Sequence, residues 1–175
     1  MKKEELLYRL TGNENPKFLT EREKFMIDKF IEILDEQQSK FYSNIGNAFS
    51  GAKVRNFNNL YIAVDVHGTI IDSDYYNNSV RFRDGAIDCL KYLSERTDIV
   101  LILYTSSYPE QIENYLKLFK ENGINFKYAN SNPDAVNTKY GCFFNGKFYF
   151  SLMIDDKAAI VDWSTIKKEF EKYKL

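Results

Sequence analysis

Leu60-Tyr61-Ile62-Ala63-Val64-Asp65-Val66-His67-Gly68-Thr69 is the stretch on which the fold turns. Five apolar residues run without a polar break and stop on a carboxylate. A half-buried strand would alternate; a continuous run of this length predicts a strand covered on both faces, as in a parallel sheet. Working outward, Ile99–Tyr104 is a second such run, Ile124–Tyr128 a third and Phe148–Ile154 a fourth. Helical patterns lie between and after them. Asp84–Arg96 puts Ile87, Leu90 and Leu93 on one side. Ser107-Tyr108-Pro109-Glu110 combines a capping signature with a first-turn proline, and Gly123 suits the residue after that helix. Asp162 caps a last helix carrying Ile166 and Phe170. Strands alternating with helices of this length predict an α/β fold, a Rossmann-like three-layer sandwich around a mostly parallel sheet.

Residues 1–58 read differently, as an N-terminal helical extension to a core of residues 59–175. Thr20-Glu21-Arg22-Glu23 is a capping box. Phe25, Met26, Phe30, Ile33 and Leu34 then recur at helical spacing, predicting about five turns with one apolar face. A second, weaker helical stretch covers Ser39–Phe49, and Gly and Asn mark a junction over Gly51–Asn59. The apolar face needs a partner: the core, or a second copy in a homo-oligomer built through these helices.

Composition narrows the function classes. The 24 basic and 25 acidic residues nearly cancel, so there is no overall field for nucleic acid or an anionic membrane. The apolar runs are too short to span a bilayer. Met1-Lys2-Lys3-Glu4-Glu5 lacks the apolar core of a signal peptide. Cys89 and Cys142 have no CxxC spacing, which suggests buried thiols rather than a disulfide framework or a zinc site. The expectation is a cytoplasmic protein.

In parallel sheets ligands bind beyond the carboxyl ends of the strands. Asp65 follows the first strand, Thr105 and Ser106 the second, and Asp155-Asp156 the fourth; Lys147 precedes that fourth strand. An apolar strand into Asp-x-x-Gly-Thr, another into Thr or Ser, a later Lys and a strand into Asp-Asp resembles the four motifs of the haloacid-dehalogenase-like family. Within it the chain is similar to small members without a large cap domain. The resemblance covers about Asn59–Tyr173. Each motif alone is weak; their order, each at a strand edge, is the specific feature.

The resemblance implies a magnesium-dependent phosphomonoester hydrolase. Asp65 would be the nucleophile, forming an aspartyl phosphate that water hydrolyses. Mg2+ takes oxygen ligands; Asp65, Asp155, Asp156 and the backbone carbonyl of His67 would supply them. Lys147 would balance charge beside Asp65, with Lys139 and Lys157 as competitors. Thr105 and Ser106 would hydrogen-bond phosphoryl oxygens, and Gly68 and Thr69 would contribute to a phosphate cradle. Arg81 and Arg83 are candidates to grip a substrate phosphate, although plain surface solvation suits them equally; Asp72 and Asp74 read as loop solvation. The family usually carries a second Asp two residues after the nucleophile, as acid and then base. This chain has His67, its single histidine. An imidazole titrates at about pH 6.5; protonated at rest it can serve as acid and then base, whereas neutral it can activate water but does not easily protonate an alkoxide.

A nucleotide, a sugar phosphate or a phosphorylated end is the implied substrate. About 40 residues separate Asp65 from Thr105, too few for a large cap. Asn130–Gly146 would be a small flap, with Tyr140, Phe143 and Phe144 as its apolar contacts. The alternative is a catalytically impaired relative that binds phosphate or metal, its N-terminal helices serving a partner. A receiver-type signalling domain has its acid pair and phosphorylated Asp in the reverse order, and no Gly-x-Gly-x-x-Gly follows the first strand.

Overall fold

The computed structural model describes residues 20–74, 79–135, 147–158 and 161–175. Lys139, Tyr140, Cys142, Phe143 and Phe144, and so most of the expected flap, lie outside the described residues, as does the side chain of Asp74. The chain divides into two compact units, Met1–Phe41 and Tyr42–Leu175.

Helix α1 spans Glu21–Val54. It opens on the expected capping box: the Thr20 amide donates to Glu23 Oε2 at 2.7 Å and the Glu23 amide to Thr20 Oγ1 at 3.3 Å. Two helices were expected here; the structure has one of 34 residues. The polar stretch Glu36-Gln37-Gln38-Ser39 interrupts the apolar face but contains no Gly or Pro, so nothing interrupts the backbone. Asn56, at φ 53, lies just past the helix end in the left-handed region. In the first unit Phe25, Met26, Phe30 and Ile33 are exposed. In the second, Ile45, Phe49 and Ala52 are buried, and the Phe49 ring meets Phe170 and Tyr173.

The second unit is α/β and Rossmann-like. Its strands are β1 (Leu60–Asp65), β4 (Ile99–Tyr104), β5 (Tyr128–Ala129) and β6 (Leu152–Ile154), all parallel, in the order β5-β4-β1-β6. Both β1 and β4 are buried along five consecutive residues, as their unbroken apolar runs required. Helix α2 (Ala86–Glu95) buries Ala86, Cys89, Leu90 and Leu93, and packs on β4 and on α4 (Trp163–Glu171). Ile87, expected on that buried side, is only half-buried. Helix α3 is Pro109–Glu121. A second apolar cluster gathers Tyr61, Val100, Ile102 and Ala135, with Tyr128, Phe148 and Tyr149 against it. Burial pushes the Cys89 thiol up to about 12, so it is an inert core group.

Four local expectations need correction. Strand β5 is shorter than Ile124–Tyr128, because the Ile124 amide is used on the Phe119 carbonyl at 2.9 Å to close α3. Strand β6 starts at Leu152 rather than Phe148; one residue earlier, the Tyr61 amide donates to the Ser151 hydroxyl instead of a ladder carbonyl. The N-cap of α3 is Tyr108 rather than Ser107: the Tyr108 amide donates to Gln111 Oε1, while Ser107 bonds Thr105. Finally, an antiparallel ribbon of β2 (Ile71–Asp74) and β3 (Ser79–Phe82) occupies the segment read as loop.

An ion pair closes the N-terminal edge of the sheet. Arg96 donates from Nε and Nη2 to the two Asp98 oxygens at 2.9 and 2.8 Å. It also donates to the carbonyls of Phe170 and Tyr173 and to the Tyr92 hydroxyl, and the Leu175 amide donates to Asp98 Oδ2. The Asp98 carbonyl receives the Leu60 amide, the start of β1. One pair thus ties the last turn of the chain to the first strand.

Candidate metal centre

Strand β1 ends on Asp65. Its neighbour β6 is registered so that Val64 faces Ile154, and the chain then leaves β6 through Asp155 and Asp156. Two parallel strands ending level bring the carboxylates together. Ligand oxygens of Asp65, Asp155 and Asp156 all lie within 4.8 Å of one another.

The turn after β1 shapes this cluster. The Ile70 and Ile71 amides return to the Val66 carbonyl, and the Gly68 amide donates to the Ile71 carbonyl. Gly68 has φ +81, and a β-carbon there would stand 2.7 Å from Asp156 Oδ2. The turn therefore needs glycine twice over, for its dihedral and for the close approach. Thr69 is fully buried. Its hydroxyl lies 3.2 Å from both Asp65 Oδ2 and Asp156 Oδ1 and accepts the Asp156 amide at 2.9 Å. It is a bracket between two of the acids. Its carbonyl accepts the Trp163 indole N–H at 2.9 Å, so the N-terminus of α4 supports the turn. The Asp155 carboxylate accepts the Lys157 amide at 2.9 Å.

Like charges crowd here. Burial pushes the Asp65 carboxyl above the ordinary carboxylate range; the Val66 amide and the Thr69 hydroxyl oppose this, while Asp155 and Asp156 push it further up. Ion pairs of the described residues all lie elsewhere. Three hard oxygen donors, mutually repelling, form a set suited to a divalent cation with carboxylate and water ligands.

Gly68→Ala is expected to cost about 1–2 kcal/mol or more from the left-handed strain alone, and to push Asp156 off the cluster. Thermal melts with and without Mg2+ check this. If Mg2+ raises the parent's melting temperature, an equal rise in the variant would show that the close approach is dispensable.

Thr105 is buried at the end of β4, in the position after Tyr104, which pairs with Asp65. Asn130 clamps it from both sides: its Oδ1 accepts the Thr105 amide at 2.9 Å and its Nδ2 donates to the Thr105 carbonyl at 2.6 Å. Asn130 has φ 48, which its short amide side chain tolerates. The Thr105 hydroxyl is 2.8 Å from that of Ser107. Ser106 is exposed. Lys147 is exposed and forms no ion pair among the described residues; Lys157 is exposed too. Arg81 pairs with Asp84 and Arg83 with Asp72. Neither is drawn into the carboxylate cluster. His67 is half-buried, with Nε2 2.8 Å from the hydroxyl of Tyr115 on α3. Tyr115 and Asn130 were missed from the sequence; a lone Asn after a short apolar segment was the available hint for the second.

A solved structure described as a conserved protein coded by a locus of Bacteroides thetaiotaomicron is similar to this chain. Identity is 26%, the TM-score is 0.53, and the match covers 67% of this chain and 94% of that one. The likeness supports the α/β fold; the description names no reaction. No family model and no curated protein matches the chain. Among the described residues, no helix is long and apolar enough to cross a membrane.

Proposed function

We propose that the chain is a haloacid-dehalogenase-like, magnesium-dependent phosphomonoester hydrolase, acting on a nucleotide, a sugar phosphate or a phosphorylated end. The observation that carries this reading is the convergence of Asp65, Asp155 and Asp156 at the ends of two adjacent parallel strands. Asp65 is the nucleophile: a carboxylate oxygen attacks phosphorus, the bond to the leaving oxygen breaks, and an aspartyl phosphate forms. Water then attacks the phosphorus, releases phosphate and regenerates the carboxylate. Asp65, Asp155, Asp156 and the His67 carbonyl would hold Mg2+, which would supply charge neutralisation between nucleophile and phosphate. Thr69 keeps Asp65 and Asp156 in place. Thr105, fixed by Asn130, offers a hydroxyl for the phosphoryl oxygens. His67 is assigned to the leaving-group proton, and afterwards to that of water. Lys147 is the assigned counter-charge.

The test is phosphate release with and without Mg2+ across nucleotides, sugar phosphates and phosphorylated nucleic-acid ends. Release that ignores chelation would sink the proposal. A second comparison isolates His67. Aryl phosphates, which leave without help, should be hydrolysed faster than alkyl phosphates, but by less than about 10²-fold, the low end of what a positioned acid contributes. His67→Asp should narrow that gap. The same leaving-group dependence in both proteins would remove His67 from the chemistry.

A histidine in place of the usual Asp, and a Lys147 without an ion pair among the described residues, favour one other reading: an impaired relative that binds metal or phosphate without turnover. Calorimetric Mg2+ binding with no release on any substrate would select it.

A further inference from the structure

His67 has a second residue built against it. The Tyr115 hydroxyl lies 2.8 Å from His67 Nε2, and the two rings meet edge-on at 80°, centroids 5.4 Å apart. Tyr115 is itself held. Its ring stacks on Phe119 at 22° and 6.3 Å. Phe119 is fully buried and packs against Phe82 of the ribbon and Phe126. The position of the hydroxyl is thus set by aromatic contacts that reach into the core, rather than by a mobile surface side chain.

An imidazole presents two different nitrogens. Turning the ring by 180° about its bond to the β-carbon puts a carbon where each nitrogen stood, and the partner of one nitrogen decides which nitrogen carries the proton in the neutral form. A phenol can donate or accept, so it satisfies Nε2 in either state while still fixing the ring. Packing alone requires only the tyrosine ring. It does not require an oxygen at hydrogen-bond distance from the one imidazole in the chain.

We propose that Tyr115 is a positioning residue for the reaction: by holding His67 through Nε2 it keeps the ring in one orientation, so that a nitrogen rather than a ring carbon meets the leaving group in each turnover. This rests on the phosphatase reading and extends it to a residue on α3.

Tyr115→Phe removes the hydroxyl and keeps the ring contacts. Because His67 is the single histidine, its ring 15N signals can be read without overlap. At about pH 9, where an ordinary imidazole is neutral, Tyr115→Phe should move the Nε2 signal, which loses its hydrogen bond, more than the Nδ1 signal. With an alkyl phosphate, kcat should fall about tenfold, in the range seen when the partner of a functional histidine is lost, while KM stays within about twofold. An aryl phosphate should respond less. An unchanged ring spectrum would overturn the proposal, and so would a changed spectrum with unchanged kcat. Absence of any turnover by the parent protein would instead sink the phosphatase reading, and the positioning role with it, whatever the spectrum shows.

Discussion

Asp65→Asn is expected to lower phosphate release by at least about 10⁴-fold, the scale on which removing a member of a covalent catalytic set acts, while raising the stability of the metal-free protein. Both signs come from one fact. Three carboxylates share a space in which their oxygens are within 4.8 Å, and ionisation of Asp65 is opposed first by burial and then by its two acidic neighbours. An amide of the same shape cannot attack phosphorus as a carboxylate does, but it no longer repels Asp155 and Asp156. Without divalent cations the variant should melt higher than the parent; each kcal/mol gained is worth roughly 2–4 °C at this size. With Mg2+ present the order should narrow or reverse, because the parent gains a cation that the variant holds less well. Melting curves in chelator and in Mg2+, alongside a phosphate-release assay, measure all of this. A variant that loses activity and is also less stable in chelator would mean that the Val66 and Thr69 hydrogen bonds to Asp65 outweigh the repulsion. One that retains activity would remove it as the nucleophile.

Asp98→Ala is expected to destabilise the fold by about 3–5 kcal/mol, because it leaves a buried guanidinium without its counter-ion. Both side chains are about nine-tenths buried, and the Arg96 guanidinium also lies 5.5 Å over the Phe49 ring. Removing the acid frees the Leu175 amide as well. Chemical denaturation of parent and variant measures the loss; one under about 1 kcal/mol would place the pair with ordinary surface ion pairs. The pair also has a pH signature. Burial alone would raise the Asp98 carboxyl, but the Arg96 hydrogen bonds, the Leu175 amide and the Arg96 charge outweigh it and hold the carboxyl below the ordinary range. With the folded pKa below the unfolded one, the contribution is complete above about pH 4 and disappears as pH falls through the lower, folded value. The parent should therefore lose more stability than Asp98→Ala on acidification below about pH 4.

The acidic cluster was legible from sequence because β1 and β6 deliver their acids by topology. An apolar run that stops on Asp65, and another that stops on Asp155-Asp156, need only lie side by side and end level. The strands β1 and β4 were legible for a related reason: Leu60–Val64 and Ile99–Leu103 are buried on both faces and admit no polar residue. The β2–β3 ribbon was not. Ile71-Asp72-Ser73-Asp74 and Ser79-Val80-Arg81-Phe82 are short and mostly polar, so the ladder that joins them leaves little hydrophobic periodicity to read. Strand β5 was overextended because Ile124 is apolar and buried, yet its amide closes α3 instead of joining the sheet. Tyr115 and Asn130 were missed because their roles depend on side-chain bonds to residues 48 and 25 positions away, which no local pattern encodes.

Trp163 is the sole tryptophan, and its indole N–H is bonded to the carbonyl of the residue whose hydroxyl touches two of the three acids. The fluorophore therefore sits one residue away from the charges it would report on. Occupancy of the acidic cluster acquires an intrinsic optical readout, in which emission is perturbed through a hydrogen bond already present and no dye or label enters the protein.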